Sequence, residues 1–100
     1  MELEVHNVGS SLIINVDGHI TGMMEVGEIK NVMDSNQEIS LIELDLNDAI
    51  VVPSALIGLL LKKSQEENKK VVLKTHHKEI QELFHELNLQ NQIEVKVEHE

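Results

Sequence analysis

The chain has 100 residues, enough for one domain with a single core and too few for an active-site cleft between domains. With 18 acidic against 8 basic side chains its formal net charge is −10, a sign that repels phosphate backbones and anionic membranes, so nucleic acid is excluded as an expected partner. Hydrophobic residues make up 41% of the chain, with one Phe and no Trp, Tyr or Cys; this predicts an aliphatic core, removes base-stacking platforms, and excludes disulfides, thiol catalysis and thiolate metal sites.

Leu3 and Val5 alternate with Glu4 and His6, Gly9-Ser10 offers a two-residue turn, and Leu12, Ile14 and Val16 alternate with Ile13, Asn15 and Asp17. The pattern predicts an opening β-hairpin. With that turn Val8 faces Ser11 and Val5 faces Ile14, which puts Leu3, Val5, Ile14 and Val16 on one side of the pair. The acidic start, Met1 to Val5, has neither the basic region nor the apolar stretch of a secretory signal.

Met23, Val26, Ile29, Val32 and Met33 recur at helical spacing and predict a helix from about Met23 to Met33, although Gly27 within it costs about 1 kcal/mol relative to Ala. Ile39 to Leu46 is a nearly continuous apolar run, expected to be a central strand buried on both faces. Residues 54–68 are helical in pattern, apolar all round at the start and charged at the end. Val71-Val72-Leu73 predicts a short strand, Ile80, Leu83, Phe84 and Leu87 mark one face of a helix, and Ile93, Val95 and Val97 alternate as a closing strand at an edge. The expected order is β-β-α-β-α-β-α-β in one domain spanning residues 1–100, an α/β layered fold with a mixed sheet of four to five strands covered by helices.

The stretch from Leu44 to Leu61 carries the one candidate site. Pro is well placed at a helix start because its missing N–H has no helical partner there, so Pro53 opens the helix and Ser54 falls in its first turn. Two readings of Ser54 stand open: a modifiable hydroxyl beside the positive end of the helix, or a small residue that caps or packs. A catalytic serine is not indicated, since 52–56 lacks the glycines of a nucleophile elbow and no histidine is tied to it. The apolar first turns are either wholly buried or partly given to a partner, and the residues nearest the mouth, Pro53, Ser54, Ala55, Leu56 and Ile57, form the expected docking set.

Other clusters carry less. No two of the six histidines have the i, i+4 spacing of helix-borne ligands, so no metal and no other cofactor is expected. Asp45 and Asp48 read as an acidic pair or as solvated loop, and Lys62, Lys63, Lys69 and Lys70 as a solvated basic helix end. The apolar run from Ala49 to Leu61 is interrupted by Pro53, Ser54 and Gly58 and is too short to span a membrane, which with the missing cysteines suggests a cytoplasmic protein.

The run Leu44-Asp45-Leu46, followed by Pro53-Ser54-Ala55-Leu56-Ile57-Gly58-Leu59-Leu60-Leu61, resembles the STAS domain family of bacterial anti-sigma factor antagonists and sulfate-transporter tails over nearly the whole chain. Asp45, Ser54, Gly58 and Leu59 match the family pattern without a gap; Pro53 stands where the family has aspartate, Ala55 where it has a second hydroxyl, and Leu56-Ile57 where Gly-Leu is usual. The resemblance implies a regulatory binding domain with no enzymatic activity. Its partners would be a switch kinase of the anti-sigma type, bound in the unphosphorylated form and released by phosphorylation of Ser54, and a serine phosphatase that resets the system. A constitutive STAS-like adaptor of a larger complex, such as a transporter, is the alternative.

Overall fold

Gly9 sits at a φ of 60°, a region that side chains with a Cβ enter at a cost, and so supplies the first position of the tight turn between β1 (Glu2–Val8) and β2 (Ser11–Asp17). In the computed structural model, which describes residues 1–36 and 38–98, the two strands are antiparallel with Val8 opposite Ser11, Val5 opposite Ile14 and Leu3 opposite Val16. This is the register that the turn and the alternation predict.

The elements α1 (Met23–Asp34), β3 (Leu41–Leu46), α2 (Ser54–Gln65), β4 (Lys70–Thr75), α3 (Lys78–Glu86) and β5 (Ile93–Val97) follow. The expected order holds, in a five-stranded mixed sheet β1-β2-β3-β4-β5 whose strands β2 to β5 are parallel. Each crossover steps to the next strand in the same direction, and right-handed connections then place every helix on one face of the sheet. The domain therefore has two layers. Leu12, Ile14 and Val16 of β2, Ile42, Leu44 and Leu46 of β3, and Val71 and Leu73 of β4 pack against Ile29 and Met33 of α1, Leu56 and Leu60 of α2, and Ile80 and Phe84 of α3.

The one-sided helix layer corrects the reading of β3. Its Ile42, Leu44 and Leu46 are buried, but Leu41, Glu43 and Asp45 on the other side are only half-buried. That open face carries an ion lattice: Lys74 Nζ lies 3.5 Å from Glu43 and 3.7 Å from Glu98, and Lys70 Nζ 3.8 Å from Glu94. Val72, flanked in register by Glu43 and Glu94, is buried here outside the main core, shielded by the stems of its charged neighbours.

The basic helix end is corrected as well. Lys63 and Lys69 are buried rather than solvated, because Lys63 continues the inward stripe of α2 formed by Leu56, Leu59 and Leu60.

Candidate functional site

Parallel strands joined by helices bring the N-termini of α1, α2 and α3 to the carboxyl end of the sheet. Two loops emerge there side by side. Asn47 N–H donates to Val16 O at 3.2 Å, Asn47 Nδ2 to Asp17 Oδ1 at 2.7 Å, and Gly18 N–H to Asp48 Oδ2 at 3.1 Å. Asp48 thus clamps the two loops, whereas Asp45 lies on β3 on the open face; the two do not form a pair.

Pro53 takes the N-cap position of α2 with φ −61° and ψ 148°, and no side chain caps the helix. Its carbonyl accepts from Leu56 N–H at 3.0 Å and from Ile57 N–H at 3.1 Å. Ser54 is the first helical residue and exposed, so its hydroxyl stands beside the positive end of the helix without serving as the cap.

The rest of the expected docking set divides. Pro53, Ala55 and Ile57 are half-buried, with Ala55 and Ile57 packed on the rim of the core. Leu56 is a correction: it is 0% exposed, and its helical position two residues from Ser54 turns it about 200° away, into the sheet. It cannot contribute docking contacts in this fold.

Four large apolar side chains at the same end were not anticipated. Met23 and Met24, at the start of α1, are 72% and 79% exposed, and Ile50 and Val51, in the loop before α2, are 55% and 66% exposed. Met23 was expected in the buried stripe of α1, which is instead Val26, Ile29 and Met33. The signal for the loop pair was present in Ala49-Ile50-Val51-Val52, four apolar residues between Asp48 and Pro53, of which only Ala49 and Val52 are buried. A small protein rarely leaves such a group uncovered without a use.

Gly58 lies one turn beyond Ser54 on the same helical face and is exposed; a Cβ placed there meets nothing within 4 Å. The fold gives no steric reason for this glycine.

The open face presents a different chemistry. Burial, and then the neighbouring Glu43 carboxylate, push the Asp45 carboxyl up to about 6, and its Oδ1 is buried with no hydrogen-bond partner among the described residues. Asp45, Asn47, Lys74, Thr75, His76 and Glu98 line a cleft of about 120 Å³. The strand order never reverses, so the sheet lacks the crevice that holds ligands in open α/β folds. Among the described residues no group of three or more His, Cys, Asp or Glu is arranged to hold a metal ion, and no helix is long and apolar enough to cross a membrane.

No protein-family model and no curated protein matches the sequence. Among solved structures the chain is similar to the anti-sigma factor antagonist SpoIIAA in its unphosphorylated form, with a TM-score of 0.76 and 14% identity over 97% of this chain and 90% of that one. It is also similar to the Bacillus cell fate determinant SpoIIAA in the phosphorylated form, with a TM-score of 0.69 and 14% identity over 97% of this chain and 93% of that one. The STAS-type fold expected from the 44–61 stretch is the fold observed.

Proposed function

We propose, from a fold shared with an anti-sigma factor antagonist, that this chain is a regulatory binding domain that docks a serine kinase of the anti-sigma type through the start of α2 and is released when that kinase phosphorylates Ser54. The observation that carries the reading is an exposed, uncapping hydroxyl at a helix start on the end of the domain where Met23, Met24, Ile50 and Val51 stand uncovered. The solved SpoIIAA structures represent both a phosphorylated and an unphosphorylated form, which supports a two-state use of this fold.

The physical basis of the switch is desolvation. Phosphoserine adds about −1.5 to −2 charges, and a partner lying on apolar side chains would have to strip water from them. The unpaired N–H groups at the helix start would hold the phosphate where it forms, by about 0.3–1 kcal/mol at an exposed site. In this scheme the domain supplies the acceptor hydroxyl and does no chemistry of its own. A serine phosphatase removes the phosphate, and the exchange takes place in the cytoplasm.

Intact-mass measurement after incubation with the anti-sigma-type serine kinases of the source cell and ATP tests the assignment. Wild type should gain one phosphate and Ser54→Ala none; an unmodified wild type, or equal modification of the variant, contradicts it.

A further inference from the structure

β1 is one edge of the sheet, and its outer side is an open template. Val16 O accepts from Asn47 N–H, and Ser10 O from Ser40 and Leu41 N–H, so the even-numbered positions of β2 direct their backbone groups to β3. Leu3, Val5 and Asn7, which face Val16, Ile14 and Leu12, therefore form the pairs not hydrogen-bonded to β2 and turn their N–H and C=O groups outward. The strand is 7 residues long, pairs continuously without a bulge and contains no proline. A short strand, a bulge or a proline would have blunted this edge.

The strand is also self-complementary. Paired antiparallel with a second copy about Val5, all 7 residues find a partner: Val5 meets Val5, Leu3 meets Asn7, Glu2 meets Val8 and Glu4 meets His6. Sliding the register by two residues sets Glu4 against Glu4 in one direction and His6 against His6 in the other. Within one copy Glu4 Oε1 already accepts from His6 Nε2–H at 2.7 Å, and the two-fold related strand presents the same donor and acceptor in reverse order. Val5 and Val8, 40% and 63% exposed, would gain cover.

The geometry points to a homodimer in which β1 strands of two copies pair antiparallel on a two-fold axis at Val5, joining both sheets into one. The axis is perpendicular to the sheet, so both helix layers lie on the same side and the two Ser54 residues at opposite ends. Each copy carries −10, a repulsion screened beyond about 8 Å at physiological salt. A contact of one strand pair belongs to the weak, transient class.

Sedimentation of the full chain from about 10 µM to about 1 mM at physiological salt tests this, the upper limit being where marginal association is populated. Wild type should shift from one chain mass toward two. Val5→Pro removes an outward N–H that β2 does not use, and should leave a folded monomer by circular dichroism. His6→Glu sets carboxylates against each other in two places and should weaken dimerisation about tenfold; the swap Glu4→His with His6→Glu restores the complement and should restore the dimer. Wild type monomeric throughout, or a dimer indifferent to both Val5→Pro and His6→Glu, overturns the inference.

Discussion

Lys63 Nζ lies 2.6 Å from Asp34 Oδ1 with 3% of the lysine side chain exposed, which joins the middle of the helix layer to the end of α1 through a buried cation. Glu67 completes the site at 3.0 Å, and Lys30 holds the other Asp34 oxygen at 2.6 Å. The hydrogen bonds from Lys30 and Lys63 pull the Asp34 carboxyl down to about 2. Burial works to lower the Lys63 pKa, yet the bonds to Asp34 and Glu67 outweigh it and hold the ammonium above its usual value.

Removing one partner should cost more than replacing the cation. Asp34→Asn leaves Lys63 short of an anion and is expected to destabilise by about 1–3 kcal/mol in urea unfolding, whereas Lys63→Met, apolar and of similar length, should cost under about 1.5 kcal/mol. A carboxyl with a depressed folded pKa contributes stability above its unfolded value of about 4 that is lost as pH falls toward 2. The gap between wild type and Asp34→Asn should therefore narrow over that interval.

Asp45 behaves in the opposite sense. Its folded pKa of about 6 is above the usual aspartate value of 3.8, so ionisation is easier in the unfolded chain and the group costs stability as pH rises from about 4 to about 6. Partial solvation of the open face reduces the effect, and Asp45→Asn is expected to stabilise by about 1 kcal/mol at pH 8 and by nothing near pH 4. Carbon-detected NMR titration of Asp45 with unfolding curves at the two pH values checks both halves.

Gly27 and Gly58 separate folding from docking. Neither has a Cβ neighbour within 4 Å nor a positive φ, so Gly27→Ala and Gly58→Ala should each stabilise by about 0.5–1 kcal/mol. Only Gly58 shares the face of Ser54. Thermal melts should rise for both variants, while kinase binding weakens for Gly58→Ala alone.

The strand and helix sequence was readable because local signals agreed with one another. Gly9-Ser10 left the hairpin a single register that buried Ile14 and Val16, and the spacing of Ile80, Leu83 and Phe84 admits only a helix. What depended on neighbours distant in sequence was not readable. Glu43 and Asp45 lie in an apolar run, and nothing local indicates that consecutive crossovers leave their face to Lys74 instead of to a helix. Lys63 looked solvated because Asp34, the spatially nearer of its two anions, is 29 residues away in the chain. Ser54 and Pro53 were placed correctly by the chemistry of helix starts, but the Leu56 direction needed the position of the sheet. Met24, Ile50 and Val51 come to the same end as Ser54 through the crossovers between parallel strands, where Asn47 and Asp48 tie their loops together.

The most direct measurement is calorimetric titration of an anti-sigma-type serine kinase into the unmodified protein, the Ser54-phosphorylated protein and Ser54→Ala. Unmodified protein and Ser54→Ala should bind alike, since the hydroxyl caps nothing, and the phosphorylated form should bind at least about tenfold more weakly, a loss of about 1.4 kcal/mol. Equal affinity for the phosphorylated and unmodified forms would contradict the switch and leave α2 as a permanent docking element.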